Sequence, residues 1–398
     1  MRRSAWWLWW TIGCAPEDVA APNAWQVTDF AAVVPSTGLP PEVSPNAANN
    51  NLDVDLFDGR WWLAFRTADT HFAGPEARMV VISSADQVDW RYEGEIAIGT
   101  DVREPQLVRI DGVLWLYFTR LGDNALAFEP GGVMRARYEG AGAWSEPAPV
   151  FEDGFLAWRI KWLDGRLVAF GYQGGENVYQ TDGDPTLVQW LASEDGETWA
   201  PAYGADPTVL SNGASESDGV FLPDGRLVAV VRNEKGSPNG EFGSYVCVAP
   251  AGDPMAWDCR ADARKFDSPL VFVEDGRAWL IARRNLTGDG RYDLDQDELS
   301  YEQQYLSYQL AYWQEPKRCA LWEISPDTRS VAWVLDLPSK GDTCFPEAVR
   351  TEAGWVVYNY SNDPEGPELS WLEGQTGETG IYRQTLRWGP GEEAGYVR

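Results

Sequence analysis

The sequence predicts an all-β protein built from repeated hairpins. Three observations carry that prediction: a turn-rich and aromatic-rich composition, a hairpin unit that recurs six times, and a tryptophan that follows most copies. The 398 residues include 39 glycines, 26 prolines and 22 tryptophans. Glycine and proline favour turns, and aromatic residues favour strands. Hydrophobic residues make up 44% of the chain, which excludes wholesale disorder.

Each repeat has an apolar strand, a tight turn and a second strand that ends in polar residues. The turns lie at Asp58-Gly59, Asp111-Gly112, Asp164-Gly165, Asp224-Gly225, Asp275-Gly276 and Ala353-Gly354. Asp-Gly supplies the positive φ that a two-residue hairpin turn requires. Because a lone hairpin leaves apolar faces exposed, the copies must stack. Two separate β domains would also fit the length, but an even repeat across the midpoint favours one ring.

The repeats therefore predict a six-bladed β-propeller of four-stranded antiparallel blades over residues 35–398. Residues 288–314 interrupt the fifth blade as an insertion, which we interpret as a short helix or a lid over the channel mouth. Its Asp293, Asp295 and Asp297 have the spacing of a calcium loop. Glu298 stands where such a loop needs glycine, so a solvated acidic loop is the favoured interpretation.

A tryptophan follows the third strand of most blades, at Trp90, Trp144, Trp199, Trp257 and, after the insertion, Trp333. The segment Ser193-Glu-Asp-Gly-Glu-Thr-Trp199 resembles the Asp-box (BNR) motif, in which Asp and Gly close a hairpin and Trp packs between sheets. The segment from Ser84 to Trp90 is a degraded copy. We interpret both as structural rather than catalytic.

Charge and histidine content exclude several function classes. The net charge of −29 repels nucleic acid and anionic lipid. A single histidine, His71, removes most metal sites and most Ser-His or Cys-His chemistry. We therefore expect no metal, no cofactor and no nucleic-acid partner, and a monomer that acts on a glycan.

The N-terminus predicts export. Residues 1–14 combine a basic start with a short apolar run, which is typical of a signal peptide and too short to span a bilayer. Thr11–Cys14 resembles the lipobox of bacterial lipoproteins, which implies lipidation of Cys14 and anchoring to the cell envelope. An ordinary signal peptide and secretion remain the alternative. Residues 15–34 are interpreted as a tether, so the membrane is contacted only through the anchor.

Four further cysteines predict two disulfides outside the cytoplasm. The simplest pairing joins Cys247 to Cys259 and Cys319 to Cys344. The sequence leaves the other two pairings open.

Polar residues at the channel end of each repeat are the candidate functional groups, because the first strand lines the channel and the second ends at its mouth. The first-strand set is Asn50, Asp53, Glu104, Arg159, Lys161, Glu216, Asp267 and Glu347. The second-strand set is Arg66, Asp69, Arg120, Tyr172, Gln173, Arg232, Glu234, Arg283, Arg284, Tyr360 and Ser361.

These residues resemble the sialidase superfamily over nearly the whole repeat region. The segment from Glu216 to Arg232 is similar to that family's Glu…Arg blade, and Arg283 or Arg284 falls where another arginine of its substrate-binding triad arises. The resemblance implies a catalytic base or nucleophile partner at Glu216 and, by topology, an acid at Asp69. Substrate binding would fall to Arg66, Arg232 and Arg284, with Arg120, Arg283, Asn50 and Tyr360 as further candidates.

Two positions depart from the sialidase pattern. Asn50 stands at the family's first arginine, and Phe345 stands at its nucleophilic tyrosine. Phenylalanine cannot attack an anomeric carbon. The insertion tyrosines Tyr292, Tyr301 and Tyr305 are candidates to cover the channel mouth.

A second resemblance is to five-bladed arabinanases and fructosidases. It is carried by Arg103-Glu104-Pro105 and by Pro346-Glu347, and it implies Asp53 as base, Glu104 as modulator and Glu347 as acid. Two carboxyl groups facing each other across a sugar suffice for inverting hydrolysis. Three hypotheses result: a sialidase-like glycoside hydrolase, a non-catalytic glycan-binding propeller, and a furanosidase relative.

Overall fold

The computed structural model describes residues 23–236 and 240–390, and these form six antiparallel sheets arranged as propeller blades. The first blade contains β2 (Ala48–Phe57), β3 (Arg60–Ala68), β4 (Arg78–Ser84) and β5 (Trp90–Ile96). The second contains β6 (Val102–Ile110), β7 (Val113–Leu121), β8 (Pro130–Gly140) and β10 (Ala148–Phe151), with β9 (Ala143–Trp144) beside β8. The third contains β11 (Leu156–Leu163), β12 (Arg166–Gln173) and β13 (Thr186–Ser193), with β14 (Ala200–Pro201) and β15 (Thr208–Asn212) both against β13.

The remaining three blades follow the same order. The fourth contains β16 (Ser217–Phe221), β17 (Leu227–Asn233), β18 (Gly243–Ala249) and β19 (Asp258–Asp262). The fifth contains β20 (Leu270–Glu274), β21 (Arg277–Asn285), β22 (Lys317–Ser325) and β23 (Ser330–Leu337). The sixth contains β24 (Glu347–Thr351), β25 (Gly354–Ser361), β26 (Gly380–Pro390) and, as its outermost strand, β1 (Asn23–Val34). The prediction of a six-bladed propeller of four-stranded blades is confirmed.

The N-terminal strand closes the ring. β1 pairs antiparallel with β26 from Asn23 opposite Pro390 to Val34 opposite Ile381. Residues 23–34, expected to be part of a tether, instead form a strand that supplies the edge partner of β26 and buries Trp25 in the core. The predicted signal peptide, the predicted lipobox with Cys14 and the remaining residues of the predicted tether lie outside the described residues.

Four of the five Asp-Gly turns have the backbone conformation that the sequence predicts; in Asp224-Gly225 the glycine has φ of 85° but the aspartate does not have positive φ. Asp58, Asp111, Asp164 and Asp275 have φ between 49° and 53°, and each following glycine has φ between 71° and 80°. Positive φ at both central positions is the turn type whose twist matches that of two paired strands. The four turns therefore fix the register of their hairpins.

Two serine-aspartate turns close with the same hydrogen bonds. Asp195 Oδ1 accepts from the backbone N–H groups of Glu197 and Thr198 at 2.8 and 2.7 Å. Asp86 Oδ1 accepts from the corresponding groups of Val88 and Asp89, both at 2.9 Å. In each turn the carboxylate satisfies backbone donors, so both are structural.

Both predicted disulfides are present. Cys247–Cys259 joins β18 to β19, and Cys319–Cys344 joins β22 to the segment before β24. Two disulfides indicate an oxidising environment for folding. Within the described residues, no helix has the length and apolarity needed to cross a membrane.

Two helices cover one face of the ring. α1 (Tyr301–Gln314) is inserted between β21 and β22, and α2 (Trp371–Thr376) lies between β25 and β26. Each begins with a capping box, formed by Ser300 with Gln303 and by Ser370 with Glu373. Trp313 stacks near Trp371 with ring centroids 6.4 Å apart, which joins the two helices.

Candidate functional site

The channel opens at the helix-covered face into a cavity of about 560 Å³, here called the mouth cavity. Its lining includes charged residues from the ends of channel strands and from the loops beside them, namely His71, Arg103, Glu104, Glu216, Arg232, Glu234, Lys265, Asp267 and Arg283. It also includes the aromatic residues Phe72, Phe128, Trp158, Tyr172, Tyr179, Tyr305, Trp313, Phe345, Tyr360 and Trp371. A concave, largely apolar cavity into which polar groups converge is the usual form of a small-molecule site.

Two backbone irregularities place polar groups at the mouth. Asn51 and Glu104 have φ of 41° and 44°, at breaks in the strand register of β2 and β6. A β-bulge changes the direction in which a side chain points. A non-glycine residue with positive φ is energetically unfavourable, and such residues occur most often at functional sites. Asn51 Nδ2 donates to Glu104 Oε1 at 3.2 Å, so the two strained positions face each other.

Glu104 is held as a neutral acid. Its side chain is buried, and its Oε2 has no hydrogen-bond partner within the described residues. Burial raises the pKa of Glu104 to about 8, against the opposing effect of Arg103. At neutral pH the carboxyl group therefore keeps a proton that it can donate.

Arg232 is the centre of a charged cluster at the junction of the fourth and fifth blades. Its Nη1 lies 2.7 Å from Glu216 Oε1, 3.3 Å from Glu234 Oε2 and 3.8 Å from Asp267 Oδ1. Lys265 Nζ lies 2.7 Å from Glu234 Oε1. Burial acts to raise the pKa of Glu234 and Asp267, but Lys265 and the arginines lower both pKa values overall. These two carboxylates are therefore ionised beside a neutral Glu104.

The pKa of Glu216 shifts in the opposite direction to the pKa values of Glu234 and Asp267. Burial raises the pKa of Glu216, although Arg232 acts to lower it. Its Oε2 accepts from the backbone N–H of Ser268 at 2.7 Å, which fixes the side chain between blades four and five. Glu104 and Glu216 both line the mouth cavity, and the charge of Glu216 adds to the effect of burial in raising the pKa of Glu104.

The five candidate catalytic carboxyls do not converge. Glu104 and Glu216 line the mouth cavity, whereas Asp53 and Glu347 line a second cavity of about 310 Å³ farther along the channel. Asp53 follows Asn51 by two residues, and a strand advances about 3.3 Å per residue, so Asp53 lies about 7 Å farther from the mouth along the channel than Asn51. Asp69 is exposed, accepts from Asn46 Nδ2 at 3.0 Å and lines neither cavity. Asp53 and Glu347 thus lie together at the second cavity while Glu104 lines the mouth cavity, and a joint role of the three on one sugar stays a prediction.

The candidate binding residues also divide. Arg232, Arg283 and Tyr360 line the mouth cavity. Arg66 and Asn50 are fully buried behind its wall, where Arg66 Nη1 donates to Asn50 Oδ1 at 3.2 Å and its Nε to Asp101 at 2.6 Å.

Two further arginines lie outside the cavity. Arg120 pairs with Asp153 at 3.3 Å, and Arg284 pairs with Asp336 at 2.5 Å. Neighbouring residues of a strand point to opposite faces, so Arg283 enters the mouth cavity while Arg284 does not.

The floor of the mouth cavity is apolar. Phe345 and Trp158 pack with ring centroids 5.1 Å apart, and both are buried. Phe345 lines the cavity at the position that the sialidase resemblance assigns to the nucleophile, and it carries no nucleophilic atom. Of the insertion tyrosines, Tyr305 lines the cavity, whereas Tyr292 and Tyr301 donate to the carbonyls of Glu234 and Lys235.

Sequence reasoning missed a histidine-aspartate pair at the mouth. His71 Nδ1 lies 2.5 Å from Asp342 Oδ2, and Tyr360 donates its hydroxyl to Asp342 Oδ1 at 2.9 Å. His71 and Asp342 are 271 residues apart, so no spacing signal joins them. The sequence offers one indication of a role for this residue: His71 is the single histidine of the chain, and it lies in the polar loop after β3, a strand that ends at the mouth.

The chain folds as a six-bladed propeller, and solved structures with a similar fold include proteins of more than one kind. A protein of unknown function from Dyadobacter fermentans superposes with a TM-score of 0.57 at 14% identity, covering 92% of this chain and 100% of that chain. Trypanosoma rangeli sialidase in complex with the inhibitor DANA gives 0.53 at 12% identity, covering 85% of this chain and 55% of that one. The present chain therefore spans about half the length of that sialidase.

A second kind of propeller gives nearly the same score. Penicillium chrysogenum α-L-arabinanase complexed with arabinobiose has a TM-score of 0.52 at 10% identity, covering 92% of this chain and 98% of that one. No family model and no curated protein matches the sequence. At these identities the similarity establishes the fold, and the chemistry rests on the residues of the cavity.

Proposed function

We propose that the protein is a glycoside hydrolase-like propeller that binds a neutral glycan residue in the mouth cavity and cleaves its glycosidic bond. The observation that carries the proposal is the neutral carboxyl of Glu104 in one cavity with carboxylates that remain ionised. Glycoside hydrolysis needs one carboxyl that donates a proton and another base or nucleophile that is not protonated. Glu104 is the proposed proton donor to the leaving oxygen.

A neutral substrate is favoured by the charges of the cavity. Arg103, Arg232, Lys265 and Arg283 each have a carboxylate oxygen within 2.6 to 3.0 Å, so their charges are already compensated. The net charge of −29 adds a long-range field that repels anions. With Phe345 in place of a nucleophile, attack by water and inversion of the anomeric centre fit this cavity better than a covalent tyrosine intermediate.

Lipid anchoring at Cys14 remains part of the proposal. β25 runs from its hairpin turn to Tyr360 at the mouth, β26 returns from Gly380, and β1 starts beside Pro390. The described chain thus begins at the face opposite the mouth cavity. An anchor there would leave the mouth directed away from the membrane, toward extracellular glycans.

A non-catalytic glycan-binding propeller is the second candidate, and the aromatic lining favours it. Ten aromatic side chains line the cavity, and sugar rings pack on aromatic faces without any chemistry. Binding alone does not require a carboxyl with a pKa near 8, which is why hydrolysis is preferred.

The test is hydrolysis of a panel of aryl glycosides by the wild type, Glu104→Gln and Glu216→Gln. The panel includes hexosides, arabinofuranosides, uronides and sialosides. We expect turnover of a neutral glycoside, and a loss of roughly 10²- to 10⁴-fold in kcat/KM on Glu104→Gln, which removes the acid. Glu95→Gln is the matched control, because Glu95 is exposed, forms a surface ion pair with Arg78 and does not line the mouth cavity.

The kinetic and binding results together decide between the hydrolase and the binding propeller. Unchanged kcat/KM in Glu104→Gln, or turnover of sialosides alone, would overturn the proposal. Absence of turnover together with binding on a glycan array would establish the binding propeller. Proton NMR of the first-formed product anomer distinguishes inversion from retention.

A further inference from the structure

We propose that His71 is the proton acceptor of the mouth cavity and that Asp342 is the residue that positions it. In this inference, which rests on the proposed function, His71 Nε2 takes a proton from the water that attacks the sugar. Glu104 then supplies the acid and His71 the base of an inverting hydrolysis.

The hydrogen bonds of the imidazole leave one nitrogen for the cavity. His71 Nδ1 is bound to Asp342 Oδ2 at 2.5 Å, and the side chain of Asp342 is fully buried. Asp342 is itself fixed, because its Oδ1 accepts from Tyr360 and its backbone N–H donates to Asn362 Oδ1 at 2.7 Å. His71 lines the mouth cavity and keeps 14% of its side chain exposed, so Nε2 is the ring nitrogen available to a ligand.

The backbone of His71 is anchored to two other blades. Its N–H donates to the carbonyl of Gln375 at 3.2 Å, and its carbonyl accepts from Arg103 Nη2 at 2.5 Å. Gln375 belongs to α2 of the sixth blade, and Arg103 belongs to β6 beside Glu104. A catalytic group needs such support to hold its geometry within about 0.5 Å.

The charges around His71 favour the neutral ring. Burial lowers the pKa of His71, Asp342 opposes this, and Arg103 and Arg66 lower it further. Tyr360 also faces the ring, at 6.0 Å between centroids. The pKa of Asp342 is below its ordinary value, since His71 and Arg283 outweigh the effect of burial. A neutral ring that donates Nδ1–H to a carboxylate has its lone pair on Nε2, ready to accept a proton.

The reaction step balances without a co-reactant. Water oxygen forms the new bond to the anomeric carbon while the glycosidic carbon–oxygen bond breaks. The proton of Glu104 goes to the leaving oxygen, and a proton of the water goes to His71 Nε2. Release of the His71 proton to solvent and uptake of one by Glu104 restore the starting state.

The single histidine allows a direct experiment. The protein is expressed without a histidine tag and with ¹⁵N-labelled histidine, so that every imidazole signal comes from His71. We expect long-range ¹H–¹⁵N spectra to show the Nδ1–H tautomer in the neutral state, with a pKa below the ordinary value of about 6.5. In Asp342→Asn this tautomer preference should be lost, whereas Asp363→Asn, an exposed carboxylate of the same blade, should leave the spectrum unchanged.

Kinetics test the catalytic role separately. With the glycoside that the panel identifies as substrate, kcat/KM should fall as the pH drops below the pKa of His71 measured by NMR. In His71→Gln this pH dependence should disappear, and kcat/KM should be lower by about 10²-fold or more. A neutral Nε2–H tautomer would overturn the inference, since that nitrogen could not accept a proton. An unchanged pH profile and kcat/KM in His71→Gln would also overturn the inference about His71. If Glu104→Gln still lowered kcat/KM in that case, the proposed function would stand. Absence of any turnover would overturn both.

Discussion

Arg159 of β11 forms an ion pair with Glu347 of β24, joining the third blade to the sixth across the channel. The same guanidinium donates to the carbonyl of Pro346 at 2.7 Å and to that of Pro269 at 3.3 Å. Trp158, which precedes Arg159 in β11, and Phe345, two residues before Glu347, form the floor of the mouth cavity. Arg159 therefore separates the two cavities and binds three blades together.

Glu347→Gln should lower stability without removing turnover. Removing one partner of a buried ion pair leaves an uncompensated charge, which costs about 3–5 kcal/mol. Chemical denaturation and kcat/KM on the same preparation check this expectation. Loss of turnover at unchanged stability would restore Glu347 to the catalytic role that the arabinanase resemblance implied.

Glu104→Gln should raise stability at neutral pH while it removes activity. The pKa of Glu104 is about 8 in the folded chain and near 4.5 in an exposed glutamate, so ionisation favours the unfolded state as the pH rises between these values. Glutamine cannot ionise and keeps an oxygen for Asn51. The gain at pH 7 should be at most roughly 3 kcal/mol, from about 1.4 kcal/mol per pKa unit.

The pH dependence of that gain is the check. Denaturant unfolding of the wild type and Glu104→Gln should give equal stability at pH 4, where Glu104 is protonated in both states. The difference should grow up to pH 8 and stay constant above it. A difference that does not vary with pH would show that Glu104 is not a neutral acid.

Three leucines surround the mouth cavity and predict a substrate with an apolar group beyond the bound sugar. Leu126, Leu306 and Leu372 come from different blades and are 97%, 58% and 43% exposed. Leu306→Ser should raise KM for long-chain alkyl glycosides about 3- to 10-fold with kcat unchanged, since each buried methylene contributes about 0.8 kcal/mol. Leu310→Ser is the control, because Leu310 is exposed on the same helix and does not line the cavity. Equal KM values for the two variants would argue against an apolar subsite.

The two disulfides should differ in their effect on the cavity. Removing either by serine substitution should cost roughly 2–4 kcal/mol of stability. Cys344 lies between Thr343, whose carbonyl accepts a hydrogen bond from Arg283 Nε, and Phe345, which forms the cavity floor. Losing the Cys319–Cys344 disulfide should therefore also weaken ligand binding. Cys247–Cys259 joins outer strands and should affect unfolding alone. Calorimetry with and without the identified ligand compares the two.

The sequence by itself determined the blades and their register. Asp-Gly turns, alternating strands and an even number of cysteines outside the signal peptide are features of the sequence itself, and such features predict hairpins and disulfides between nearby cysteines. The same signals placed Glu216, Arg232, Glu234 and Asp267 at channel-end positions. The strand formed by residues 23–34 was not predicted, because its partner strand, β26, lies at the other end of the chain.

Only the tertiary structure decided which polar groups meet. The direction of each channel strand put Glu104 at the mouth and Asp53 below it, and the alternation along β21 put Arg283 inside and Arg284 outside. A bulge, which no propensity scale marks, turned Glu104 toward Asn51. His71 met Asp342 because ring closure brings the first blade beside the sixth, and contacts between distant residues depend on that closure rather than on any local pattern.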